Sequence, residues 1–260
     1  MPERLRSALS PVFRDNNGDG VADQVVVNTI TNQGDTSDRV AKGLEVEMTA
    51  NLTRNWRATL NVGRQETVQS NTAPLNWPIA EAFLKSMQEK GVLPLVLDPS
   101  GAGGGVVRSL GSQWLQTSMG SIRAVRARDG VKANEQREWR VTAVSKYTFG
   151  AGALKGFGLG GAARWESEAA TGYQTLLIDG NVPVPDVAKP FFDDGLFSAD
   201  AFCSYERRLF QKYEWRIQLN VRNAIGETGD IPVKTNPDGR VAVVRIPNPR
   251  IWYITSSIRY

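Results

Sequence analysis

Three groups of side chains have the types and spacing to do chemistry. Asp15, Asn17, Asp19 and Asp23 fall where a calcium-binding loop places its oxygen ligands, with Gly20 at the sharp turn. The last ligand of such a loop is a bidentate glutamate, and Val26 stands there instead. Calcium is therefore the one cofactor the sequence points to, at a weak site or one completed by a carboxylate from elsewhere. The competing reading is a loop held by side-chain-to-backbone turns. Glu45/Glu47 and Glu166/Glu168 are carboxylate pairs two residues apart, about 7 Å on one face of a strand. That separation suits a glycosidase, but arginine and asparagine share the inferred face, and the pairs read as solvated lining. The chain has no histidine, which removes the usual general base. Its single cysteine, Cys203, excludes an internal disulfide and a cysteine zinc cluster. No catalytic constellation is visible, and the expectation is a protein that is not an enzyme.

The elements that must carry these groups are strands. Between Arg39 and Asn51, Val40, Leu44, Val46, Met48 and Ala50 share one face, and Glu45, Glu47, Thr49 and Asn51 the other. After Leu52-Thr-Arg-Asn55, Trp56, Ala58, Leu60 and Val62 alternate with Arg57, Thr59, Asn61 and Gly63. The pattern returns at Trp139–Tyr147, at Phe157–Glu166, more weakly at Ala199–Phe210, and clearly at Tyr213–Gly226 and Asn248–Tyr260. Period two means strands with one apolar and one polar face. Reversals at 52–55, 149–156 and 211–213 are short, whereas excursions at 33–38, 70–136, 172–197 and 227–248 are long. Trp56, Phe149, Phe157, Phe210, Trp215 and Tyr260 gather on the short-turn side, and Trp139, Trp165 and Trp252 toward the other rim. Tight turns on one side, long loops on the other and aromatic girdles at two levels are the marks of an antiparallel transmembrane β-barrel. The alternative is a soluble sandwich whose edge aromatics align by chance.

Composition agrees with that class without proving it. Apolar residues make up 41% of 260, and mean hydropathy is −0.32. No run approaches the roughly 18 apolar residues of a membrane helix, a test that strands escape because only alternate residues meet lipid. The net charge of +4 is dispersed, so no nucleic-acid partner is expected. Met1–Ser7 has no apolar core and does not read as a secretory signal, leaving a cytosolic protein or the rear part of something longer. Residues 1–38 read as a loop and hairpin region before the first clear barrel strand, with Gln24–Asn32 as half of a hairpin. Residues 39–260 read as barrel, carrying a large outer loop at 70–136. Within that loop Trp77–Gly91 reads as a helix with an apolar stripe of Ile79, Ala80, Phe83, Leu84 and Met87. A weaker helical stretch, Val106–Arg128, is expected to pack on it.

The run Arg216-Ile-Gln-Leu-Asn-Val-Arg-Asn223, closed by Asn248-Pro-Arg-Ile-Trp-Tyr-Ile-Thr-Ser-Ser-Ile-Arg-Tyr260, resembles the last two strands of TonB-dependent outer-membrane receptors. Ala41–Glu47 followed by Asn55-Trp-Arg57 is similar to an earlier strand pair of the same barrel. The resemblance implies a bacterial outer-membrane location and active uptake of a large scarce ligand such as a metal chelate, cobalamin or glycan. It implies as partners outer-membrane lipid, the barrel-assembly machinery and the TonB energy-transducing complex, reached through a plug domain. On this reading the terminal strand, with Trp252, Ile254, Ile258 and Tyr260, is the assembly signal. About eight barrel strands are legible where the family has about 22, and no plug is recognisable, so the resemblance implies a C-terminal fragment. Two alternatives remain: a self-standing small barrel with a structural or adhesive role, and a secreted β-rich enzyme.

Overall fold

The computed structural model describes residues 12–14, 18, 24–26, 34–91, 93–94, 111, 114–178 and 182–260. They fall into two compact units. One comprises Arg39–Val68, Val131–Thr175 and Asp186–Tyr260, and the other Met1–Asp38, Gln69–Gly130 and Leu176–Pro185.

The first unit is built on a seven-stranded sheet. Its strands are β3 (Asp38–Asn51), β4 (Trp56–Ser70), β5 (Trp139–Thr148), β6 (Phe157–Glu166), β9 (Leu196–Leu209), β10 (Tyr213–Gly226) and β13 (Ile251–Arg259). They lie side by side in chain order, with β3 and β13 at the edges. Short connections force antiparallel neighbours, and the register carries a mainly apolar and a mainly polar face across the sheet. Trp56, Tyr147, Leu159, Cys203, Leu219 and Ile254 form one continuous cross-strand row. Arg57, Lys146, Gly160, Phe202, Asn220 and Tyr253 form the adjacent row, on the opposite face. A slip of one residue in any pair would exchange the two.

The apolar face is not the wall of a dry core. Leu44 is 67% exposed and Ile258 65%, and Val46, Leu159, Trp252 and Ile254 are exposed with them. Two serines on this face are each covered by an indole. Trp56 Nε1 donates to Ser145 Oγ at 2.9 Å, and Trp215 Nε1 donates to Ser256 Oγ at 3.0 Å. On the polar face Phe202 lies across Gly160, where a Cβ would come within 2.4 Å of the ring, so only glycine fits beneath it.

Two of the long connections contain hairpins that the alternation did not announce. β7 (Ala170–Ile178) pairs with β8 (Val182–Phe192) between β6 and β9, and β11 (Ile231–Thr235) pairs with β12 (Val241–Arg245) between β10 and β13. Pro183, Pro185, Pro190 and Pro232 interrupt the pattern there, as proline does on two-stranded edges.

In the second unit β1 (Val12–Arg14) pairs with β2 (Gln24–Val26) as a separate hairpin. The sheet therefore holds seven strands among the described residues, and the run beginning at Gln24 is half of a hairpin. Helix α1 (Asn76–Glu89) ends just before Gly91, whose φ of +65° makes the turn out of the helix. Phe83 and Met87 are buried and pack with Leu84 and Trp114, the Phe83 and Trp114 rings lying 4.5 Å apart. Trp114–Met119 forms a π-helical turn that leads into α2 (Gly120–Arg126). The expected packing of the two helical stretches is thus met where Trp114 lies against Phe83.

The start of α1 is capped from a distance. Leu75 offers no side-chain bond, and Asp35 supplies it instead, accepting from Asn76 N–H at 2.7 Å and more weakly from Leu75 N–H. Burial pushes the Asp35 carboxyl up, but the backbone N–H groups of Asn76, Thr36 and Leu75 outweigh it and hold the pKa below the ordinary aspartate value. Asp129 closes the base of the same segment by accepting from Thr72 N–H and Thr72 Oγ1, while Arg126 donates to Thr72 O.

Candidate functional site

The polar face carries the side chains able to bind a ligand. Along β10, Arg216 donates to Gln218 Oε1 at 2.5 Å and Gln218 Nε2 donates to Asn220 Oδ1 at 2.5 Å, a chain of bonds running with the strand. Arg222 follows, its guanidinium 5.6 Å from the centre of the Tyr253 ring. Toward the long connections a cleft of about 700 Å³ opens, lined among others by Arg164, Asp200, Phe202, Asn220, Arg222 and Tyr253. Its charges are balanced rather than of one sign. Arg164 pairs with Asp200 at 2.9 Å, and the other Asp200 oxygen accepts from Asn223 N–H at 2.9 Å.

Asn223 sits where β10 breaks register with β9, between Val221 and Ile225. Its φ of +50° is a conformation asparagine tolerates better than most residues. Its side chain donates to Asn248 O at 2.6 Å, and Arg250 donates to its carbonyl. This asparagine thus ties β9, the end of β10 and the approach to β13 together. It was legible only as the last residue of the Arg216–Asn223 run.

A second, buried network roots three connections. Arg137 donates to both carboxylate oxygens of Asp193 and to Ser167 O, and pairs with Glu166 at 3.3 Å. Asp193 also accepts from Ala169 N–H at 2.8 Å. The side chains of Arg137 and Asp193 are each only 5% exposed. The sequence offered no signal for this pair, because the partners lie 56 residues apart and neither belongs to a motif.

The residues singled out from sequence are not brought together. Asp15, Asn17, Asp19 and Asp23 lie outside the described residues. Glu45 accepts from Asn61 Nδ2 at 2.7 Å across β3 and β4, an ordinary cross-strand pair. Glu166 and Glu168 do not share a strand face: β6 ends at Glu166, and Glu168 lies in the irregular segment beyond. Cys203 is an exposed strand residue on the apolar face. Trp252, Ile254 and Ile258 line the apolar face of β13, which is exposed along its whole length, and Tyr260 follows it. Among the described residues no group of histidine, cysteine, aspartate or glutamate side chains is placed to hold a metal ion.

No protein-family model matches the chain, and no curated protein sequence does. Among solved structures, 85% of the chain is similar to the ferripyoverdine receptor of the outer membrane of Pseudomonas aeruginosa bound to ferripyoverdine, at 13% identity and a TM-score of 0.41. The same share is similar to the ferric-catecholate import receptor Fiu from E. coli K12 in its closed form, at 16% identity and a TM-score of 0.41. The chain spans 19% of the first of these structures and 21% of the second.

Proposed function

We propose that this chain is β-barrel wall of an outer-membrane uptake receptor of the TonB-dependent kind. The observation that carries the reading is the sheet itself. Seven strands of 9 to 15 residues keep an exposed apolar face opposite a hydrogen-bonded polar one. A tilted strand needs about 9–11 residues to cross a bilayer. Three short turns close one end, and long connections with hairpins and helices occupy the other, the asymmetry of outer-membrane barrels. In an aqueous fold the face bearing Leu44, Leu219 and Ile258 would be covered by a second layer. Lipid supplies that cover here.

Within this reading the polar face borders the lumen, and the long connections face outward and meet the ligand. Coupling to the TonB complex would pass through a plug domain. β13, with Trp252, Ile254, Ile258 and Tyr260, would be read by the barrel-assembly machinery. The balanced charge of the cleft around Arg164, Asp200 and Arg222 favours a ligand recognised by hydrogen bonds over one held by net charge. Calcium at Asp15, Asn17, Asp19 and Asp23 would brace the loop before the barrel; melting curves that coincide with and without chelator would remove it.

The test of the reading is the need for a lipid-like solvent. The full chain is expected to hold its β structure in detergent micelles, with gel migration that changes on heating, and to aggregate when detergent is withdrawn. A chain that is monomeric and folded without detergent overturns it.

A further inference from the structure

The end of the sheet closed by short turns has a chemistry that the uptake reading does not use. Each of its three turns carries one cation and one exposed apolar side chain, and no carboxylate: Arg54 with Leu52, Lys155 with Leu154, and Lys212 with Phe210. Arg207 joins them on the apolar face, opposite Trp215 in the register. Glu206 and Glu214 are the nearby acids, and both fall on the polar face, where Glu214 pairs with Arg208 at 3.7 Å. Among the described residues none of Arg54, Lys155, Arg207 and Lys212 forms an ion pair. The long-connection end is different in holding several ion pairs, Arg245 with Glu135, Arg137 with Asp193, Arg164 with Asp200 and Arg240 with Asp238.

The rim is built to display these groups. Thr148 N–H donates to Asn55 O and Glu206 N–H donates to Gly156 O, so the first and second turns are bonded to the strands beside them. Lys212 lies over the rings of Tyr213 and Tyr260, 4.3 Å from the centre of the latter. Phe210 is the clearest sign of an outside partner. It is 90% exposed, and it sits in a left-handed conformation with φ +51°, followed by Gln211 at +56°. The two positive φ angles and the bond from Lys212 N–H to Leu209 O make a two-residue hairpin turn that suits the twist of the paired strands, and this turn holds the ring out to its surroundings.

We propose that this rim is a docking surface for anionic phospholipid headgroups. Leu52, Leu154 and Phe210 would enter the boundary between headgroups and acyl chains, while Arg54, Lys155, Arg207 and Lys212 meet the phosphodiesters. This rests on the membrane reading and adds to it a preference among lipids. A cation at an anionic bilayer surface contributes about 1 kcal/mol, or about fivefold in affinity.

The test uses the full chain in dodecyl maltoside micelles, with tryptophan quenching by brominated phosphatidylglycerol compared with brominated phosphatidylcholine. Phosphatidylglycerol is expected to bind about fivefold more tightly at low salt. The preference should fall to about parity in the quadruple variant Arg54→Gln, Lys155→Gln, Arg207→Gln, Lys212→Gln, and for the unaltered chain in 1 M salt, where charges are screened beyond about 3 Å. Equal quenching by both lipids overturns the headgroup proposal and leaves the membrane reading standing. A preference that survives in the quadruple variant also overturns it, because the discriminating charge then lies elsewhere. No quenching by either lipid removes both. The salt arm reads the interaction without any substitution, so a variant that misfolds does not decide the matter.

Discussion

Replacing Arg137 by methionine is expected to destabilise the protein by about 3–5 kcal/mol, one of the largest effects of any single change outside the strands. The reason is what remains rather than what is removed. Asp193 would keep its carboxylate 5% exposed, with the backbone N–H of Ala169 as its principal remaining donor, and an uncompensated buried charge is costly. Ser167 O would lose a 2.5 Å bond in the same step, and Glu166 its partner at 3.3 Å. Denaturant unfolding in micelles measures the loss. The double variant Arg137→Met, Asp193→Leu should recover most of it, because a buried pair replaced by packed apolar groups is often neutral or better. A double variant as unstable as the sum of two single ones would mean the two residues act independently.

The second large effect should depend on parity along a strand. Leu219 and Asn220 are neighbours in the middle of β10, one paired with Cys203 and Ile254, the other with Phe202 and Tyr253. Leu219→Arg places a charge on the face assigned to lipid, at a cost of about 2–4 kcal/mol near the bilayer midplane. Asn220→Arg adds a charge to a face that already holds Arg216 and Arg222, and should cost less than about 1 kcal/mol, as on a lumen wall. Folding yield and denaturation midpoint in lipid vesicles separate the two. Similar costs for both substitutions would sink the assignment of faces.

These contrasts show how much could be read before any coordinates. Strands β3, β4, β5, β6, β10 and β13 follow from period-two alternation, which encodes a surface touching two different solvents. Helix α1 was readable because its apolar stripe is local and Gly91 marks its end. What stayed hidden depends on partners distant along the chain. Asp35 caps a helix that begins at Asn76, and no local pattern connects them. Arg137 and Asp193 look like any two surface charges until three connections converge. The hairpins β7–β8 and β11–β12 were hidden by their prolines, which weaken a strand signal even where an edge strand tolerates them. The rim cations were visible individually, but only the register placed Arg207 on the apolar side beside Trp215.

The edges of the sheet carry one more consequence. Because the seven strands alternate in direction, the first and the seventh point the same way. Bringing β3 against β13 would create a single parallel seam in an otherwise antiparallel cylinder. Two copies arranged around a common axis would create two such seams. An antiparallel closure needs an even total, so it must recruit an odd number of strands beyond these seven, with one bonding to β3 and one to β13.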